Sequence, residues 1–209
     1  MKVVAINGSP KAKGNTFTTL NTLADLLAPE GVTTKILQVG SAALRGCIAC
    51  NGCARNQDRR CVLPDDQVNG WIDTIAQADG LILGSPVYFS AVPGTLKCFL
   101  DRAFYVQSTN GGLFRHKVGA AVVADRRAGA VSTFGQLNNY LHYAEMFVPS
   151  SNYWNVVYGT APGEVAQDTE GQQILRVLAK NLAWMLKTRR DSPHALPEAE
   201  PKVLFNFIR

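Results

Sequence analysis

The sequence predicts an α/β protein: an open, doubly wound sheet of five parallel strands with helices on both faces. Three observations predict it. Short unbroken apolar runs end in Asn, Gly or Asp, as strands buried on both faces do. Segments with apolar residues three, four and seven apart stand between them. The two kinds alternate as βαβαβαβαβα, an order that right-handed crossovers turn into one sheet covered on each side.

In chain order, Val3 to Ile6 is the first strand, and Leu20, Leu23, Ala24 and Leu27 mark the first helix. Thr33 to Val39 is the second strand, and Val68, Trp71, Ile72 and Ile75 mark the next helix. Leu81 to Leu83 is a third strand, followed by a helix carrying Leu96, Phe99, Leu100 and Ala103. Val118 to Val123 precedes a helix with Phe134, Leu137, Leu141 and Ala144, and Asn155 to Tyr158 precedes one with Ile174, Leu178, Leu182 and Met185. Residues 1–187 read as one domain. Its exception is an insertion at 40–64, long for a connection and without a period. Residues 188–209 read as a C-terminal extension. Thr188 to Lys202, rich in proline and charge, is an extended tail, and the apolar end Val203 to Ile208 is expected to bury itself against the domain or a neighbouring subunit.

The 209 residues are 46% hydrophobic, 18% charged and 9% aromatic, which excludes disordered, collagenous and coiled-coil chains. The formal net charge of +5 comes from basic residues that are spread out, so nucleic acid is not an expected partner. Met1-Lys2 is followed by only four apolar residues before Asn7, too few for a secretory signal. No apolar run is long enough to cross a bilayer, so no membrane partner is expected either. The expectation is a cytoplasmic protein whose thiols stay reduced. Five cysteines are too few for a disulfide-built scaffold, and four of them lie between 47 and 61. Clustered thiols in that setting point to metal binding or redox chemistry.

The first strand runs into Asn7-Gly8-Ser9-Pro10-Lys11-Ala12-Lys13-Gly14-Asn15-Thr16 and then a helix. Free amides and the dipole at a helix start suit a phosphate, and Ser9, Asn15 and Thr16 add donors. The alternative is that Asn15 or Thr16 merely caps the helix. The loop lacks G-x-G-x-x-G and Gly-Lys-Ser/Thr, which argues against dinucleotide and nucleoside-triphosphate sites and leaves a monophosphate. In a doubly wound sheet of order 2-1-3-4-5, the loop Ser85-Pro86-Val87-Tyr88-Phe89 after the third strand lies beside it. Tyr88 and Phe89 offer flat surfaces to a ring system, unless both pack into the core. The loop from Ala124 to Ala130 brings donors and Arg126 to the same rim, or is simply solvated.

Three runs in the right order resemble the flavodoxin-like NAD(P)H-dependent FMN reductase superfamily. They are Gly8-Ser9-Pro10 with Gly14-Asn15-Thr16, Ala78 to Tyr88, and Gly94-Thr95-Leu96-Lys97 with Phe99-Leu100-Asp101-Arg102. The likeness extends to Tyr153-Trp154-Asn155-Val156-Val157 and the closing Asn206-Phe207-Ile208-Arg209. The resemblance implies a flavodoxin-like fold with the FMN phosphate on Ser9, Lys11, Gly14, Asn15 and Thr16. It places the isoalloxazine against Ser85, Pro86, Val87, Tyr88 and Phe89, and the ring edge near Asp125, Arg126 and Gly129. It makes Asp101 and Arg102 structural or interfacial rather than catalytic, NAD(P)H a co-substrate, and the assembly a homo-oligomer, a dimer or tetramer.

Cys47, Cys50, Cys53 and Cys61 form C-x2-C-x2-C-x7-C. Three thiolates on so tight a turn with a fourth nearby suit a [4Fe-4S] cluster. Zinc accepts four thiolates too, though structural zinc sites more often pair separate knuckles. Unligated cysteines in a packed loop are the third reading. Within the superfamily the spacing resembles the iron-sulfur flavoprotein group, which passes electrons between FMN and one cluster. The x7 gap is long for that motif and makes Cys61 the weakest ligand on sequence grounds. Arg55, Arg59 and Arg60 in or beside the gap suit an acidic redox partner such as a ferredoxin, or are solvated charge. Cys98 is expected in the core.

No triad or acid–base pair stands out, and His116, His142 and His194 are scattered, so the flavin is expected to carry the chemistry. The leading reading is an FMN-dependent oxidoreductase exchanging electrons with a cluster. The alternatives are a cluster-free NAD(P)H-dependent FMN or quinone reductase, and an electron-carrier or binding module without its own substrate.

Overall fold

A computed structural model describes residues 1–203 and 205. Its sheet has five parallel strands: β1 (Lys2–Asn7), β2 (Thr33–Gln38), β3 (Gly80–Pro86), β4 (Val118–Asp125) and β5 (Val156–Tyr158), in the order β2-β1-β3-β4-β5. The alternation predicted an open parallel sheet, and this is the order expected of a flavodoxin-like one. Strand β4 is buried along its whole length and β1 and β3 nearly so, which is why they read as continuous apolar runs. Edge strand β2 alternates, and its sequence Thr-Thr-Lys-Ile-Leu-Gln is correspondingly mixed.

Helices α1 (Asn15–Leu27) and α6 (Thr169–Asp191) cover one face. There Leu20, Leu23, Leu178 and Leu182 pack over Val3, Ala5, Ile82 and Val122. Helices α3 (Val68–Ala76), α4 (Gly94–Thr109) and α5 (Ala130–Tyr143) cover the other, where Ile72, Phe99, Leu100 and Leu137 meet Val4, Ile6, Leu81 and Val123. Val3 and Ala5 thus serve one layer and Val4 and Ile6 the other, as the two-residue strand period requires. Each fully buried leucine of these layers is worth roughly 1.5–3 kcal/mol in transfer terms.

Two boundaries differ from the sequence reading. The insertion holds a short helix α2 (Gly52–Asn56), flanked by Asn51 and Gln57 at left-handed φ of 55° and 52°. Helix α6 continues through Thr188-Arg189-Arg190 to Asp191, so the extended tail begins at Ser192 rather than Thr188. Lysine and arginine are good helix formers, and the helix stops only as Pro193 approaches. The tail then runs back along the domain, with Arg115 Nη1 and Nη2 donating to Pro197 O and Glu198 O at 2.9 and 2.8 Å. Val203 and Phe205 are exposed. The rest of the predicted apolar end, Leu204 and Asn206 to Ile208, lies outside the described residues, as does Arg209. Among the described residues no helix is long and apolar enough to cross a membrane.

Candidate functional site

The chain crosses over in opposite senses on either side of β1 and β3, so their C-terminal ends open a crevice. A cleft of about 220 Å³ occupies it, floored by Ser9, Gly14, Asn15 and Thr16. Pro86, Val87 and Tyr88 form one wall, Asp125 and Arg126 the other, and Lys11 stands at the phosphate-loop end. Of the residues predicted for the ligand, these ten come together.

The floor has the chemistry of an anion cradle. The first helical bond of α1 runs from Thr18 N to Gly14 O at 3.0 Å, so the amides of Asn15, Thr16 and Phe17 precede it. Gly14, not Asn15 or Thr16, is the N-cap, and no side chain caps the helix. The alternative reading of those two residues as caps is therefore overturned, and their side chains are available to a ligand. Thr16 and Ser9 are buried, and Ser9 Oγ accepts from Lys11 N at 3.2 Å, which folds the loop back on itself. Asn15 Oδ1 and Asp125 Oδ2 are buried without a hydrogen-bond partner. Such orphaned atoms in a polar cleft fit a bound molecule that supplies donors. Asp125 Oδ1 accepts from Arg126 N at 2.6 Å. Burial, then Asp125 and Asp168, raise the pKa of Tyr158 at the end of β5.

Three predicted residues lie outside the cleft lining. Ser85 is fully buried beneath the wall, its hydroxyl donating to Pro86 O at 2.7 Å. Phe89 stands wholly exposed at the tip of a tight turn closed by Tyr88 N to Ala91 O and Ala91 N to Tyr88 O, 2.9 and 3.0 Å. Phe89 and Ser90 hold φ of 50° and 59° there, a conformation that usually calls for Gly or Asn. Tyr88 is exposed as well, so neither aromatic packs into the core. Gly129, at φ 96°, sits under this turn, and α5 grips it through Ser132 Oγ to Ser90 O at 2.9 Å. Ala124, the first residue of the third loop, lines the cleft too, and the sequence reading missed Gly159, Thr160 and Pro162, which complete the rim. The Gly159-Thr160-Ala161-Pro162-Gly163 cluster after the last strand was the available signal.

Cys47, Cys50, Cys53 and Cys61 all line a second, small cavity of about 20 Å³, walled by Val62, Leu63 and Val106. All four are free thiols, Cys47 and Cys50 exposed, Cys53 buried and Cys61 half-buried. Among the described residues no three of them stand close enough to hold a single metal ion. The backbone that gathers them is unusual: Ala49, Asn51, Gln57, Arg59 and Asp65 all have φ between 52° and 67°. A Cβ on Gly52 would stand 3.0 Å from Val62 Cγ2, so this close approach of the two arms of the segment needs glycine. Asn69 clasps Cys61 from both sides, accepting from its N at 2.8 Å and donating to its O at 2.9 Å. Cys61, the weakest ligand by spacing, is thus firmly held. Arg102 Nε donates to Cys61 Sγ at 3.3 Å. Arg55 donates to Cys50 O at 2.8 Å and Arg60 pairs with Asp73 at 3.2 Å, both on the surface. Cys98 is half-buried beside Gly46 rather than in the core. Asp101 ties α4 to α5, accepting from Lys97 Nζ at 2.6 Å and from the Tyr140 hydroxyl. Burial and that bond push the tyrosine to about 12.

An anion cradle at the first helix, opposed to a wall of Pro86, Val87 and Tyr88 at the switch point of a 2-1-3-4-5 sheet, defines a flavodoxin-like α/β protein. The family of NADPH-dependent FMN reductases matches residues 1–161, and the chain belongs to that family. It is similar to an iron-sulfur flavoprotein of Methanocaldococcus jannaschii, 35% identical over 194 residues that cover 90% of this chain and 98% of that protein. An iron-sulfur flavoprotein of Methanosarcina thermophila is 29% identical over 191 residues, 90% of this chain and 96% of the relative. In fold it resembles the crystal structure of RosB with bound 8-demethyl-8-formylriboflavin-5′-phosphate, with a TM-score of 0.74 and 15% identity over 100% of this chain and 96% of that one. The chain is an FMN-dependent oxidoreductase.

Proposed function

We propose that this oxidoreductase passes electrons between FMN in the cleft and a [4Fe-4S] cluster on Cys47, Cys50, Cys53 and Cys61. The observation that carries the reading is the meeting of these four thiols, with no imidazole or carboxylate among them, around one cavity. Soft thiolate sets suit iron-sulfur clusters and zinc. The relatives that match nearly end to end are named iron-sulfur flavoproteins, which favours the cluster. A cubane is larger than one ion, so its ligands stand further apart than those of a mononuclear site. The cavity of about 20 Å³ is smaller than a cubane, so binding one requires its lining to move, and Cys47 and Cys50 are the exposed thiols of the four.

FMN supplies one- and two-electron chemistry and a cubane one-electron chemistry. Ser9, Asn15 and Thr16 bind the phosphate, Lys11 adds charge, and Pro86, Val87 and Tyr88 orient the ring. Asp125 and Arg126 face its edge. A nicotinamide donor, as the family name suggests, has open access past Tyr88. Exposed Phe89 borders α5, whose Val131 joins exposed Tyr153 and Trp154 in an apolar rim that suits a second copy of this chain. Arg55 and Arg59, exposed beside the cysteines, suit an acidic redox protein.

The test is anaerobic reconstitution of the wild type and of Cys47→Ser/Cys50→Ser with FMN, iron and sulfide. The proposal expects stoichiometric iron and acid-labile sulfide in the wild type alone, and impaired electron transfer to one-electron acceptors in the variant. A second reading, a cluster-free NAD(P)H-dependent FMN or quinone reductase, is favoured by the match of residues 1–161 to the NADPH-dependent FMN reductases. It predicts unchanged turnover in the variant.

A further inference from the structure

Among the described residues Arg102 is the largest fully buried side chain, and it lies on α4 against the cysteine segment. Burying a guanidinium costs several kcal/mol unless every N–H finds a partner. Here each does. Nη1 and Nη2 bind the two carboxylate oxygens of Asp66, Nη1 also reaches Arg45 O at 3.2 Å, and Nη2 reaches Leu63 O at 3.4 Å. The remaining donor, Nε, goes to Cys61 Sγ. One cation therefore grips the chain just before Cys47, just after Cys61, and at a cysteine sulfur. Asp66 and the two carbonyls take four of the five N–H groups, and the fifth is aimed at sulfur. A neutral thiol is a poor acceptor, whereas a thiolate bound to iron is a good one.

We propose that Arg102 is a positioning residue of the four-cysteine centre, which fixes both ends of the segment and raises the cluster's reduction potential through its bond to Cys61 Sγ. The inference rests on the cluster reading above. The cation offsets the negative charge of four thiolates and favours the reduced cluster, which carries one more electron. Asp66 partly neutralises it, so the two residues act with opposite sign.

The experiment is a dithionite titration, followed by electron paramagnetic resonance, of anaerobically reconstituted, FMN-loaded wild type, Arg102→Gln and Asp66→Asn. The midpoint potential moves negative in Arg102→Gln and positive in Asp66→Asn. A structural role alone lowers stability in both and moves neither potential. If Arg102→Gln does not fold, Arg102→Lys, which keeps the charge and loses the Nε contact, takes its place with a smaller negative shift. Variants holding full iron and sulfide at the wild-type potential overturn this assignment alone. A wild type that takes up no iron and sulfide overturns the cluster reading, and this assignment with it.

Discussion

Gly129 lies so close beneath Ser90 that a Cβ added to it would stand 2.8 Å from both Ser90 Cα and Ser90 Oγ, and 2.9 Å from Val87 Cγ1. The start of α5 thereby supports the Tyr88–Ala91 turn from below, and the turn in turn carries the cleft wall. A residue that does not line the cleft sets the position of three that do.

Gly129→Ala should displace that turn. Its φ of 96° is strained for any side chain, and the contact leaves no room. The cost is about 1–3 kcal/mol. We expect a lower melting temperature and weaker FMN binding by fluorescence titration, with the cysteine segment's proteolysis unchanged.

Ser9→Ala and Thr16→Val remove donors from the phosphate cradle. A hydrogen bond to a charged group is worth about 1.5–3 kcal/mol, so each should weaken FMN by about 10- to 100-fold. Riboflavin, which has no phosphate, should bind each variant as it binds the wild type. An equal loss for both ligands would place the phosphate elsewhere.

Asn69→Ala releases the backbone of Cys61. Two bonds are lost, at about 1 kcal/mol each. Hydrogen exchange at the Cys61 amide should accelerate, and reconstituted protein should lose iron faster to a chelator, while FMN affinity stays the same.

His116, buried and stacked on Phe147 at 5.2 Å between ring centres, titrates below its usual 6.5, through burial first and then Arg115 and Arg189, against an opposing pull from Glu145. The folded state therefore resists protonation more than the unfolded chain does. Stability from this group is complete above pH 6.5 and is lost as the pH falls through the folded value. Denaturation midpoints of the wild type should begin to fall below about pH 6.5, and those of His116→Phe should stay flat until the pH enters the carboxylate range, in which Glu145 is held below its usual value by Arg115. Parallel pH profiles would contradict this.

Buried parallel strands write themselves as apolar runs, so β1, β3 and β4 were legible in Val3–Ile6, Leu81–Leu83 and Val118–Val123. Helix periodicity likewise gave α1 and α3 to α6. The end of α6 was not, because Thr188 to Asp191 are polar and the cue taken was charge, while the physical stop is Pro193. Helix α2 was hidden because it begins and ends at Asn51 and Gln57, in conformations that only tertiary contacts such as Gly52 on Val62 sustain. The cleft floor could be read from Ser9 to Thr16 because a strand–loop–helix has local chemistry. Thr160 and Pro162 could not be assigned, since only the sheet order brings the loop after β5 to the same rim. Arg102 was read as structural, and its contact with Cys61, 41 residues away, exists only in the fold.

The most direct test of electron transfer between a flavin and a four-thiolate centre is the iron, acid-labile sulfide and FMN content of anaerobically purified protein. The account predicts iron and sulfide in equal amounts, at one [4Fe-4S] cluster for each FMN. FMN bound in full with neither iron nor sulfide, or with zinc in their place, would contradict it.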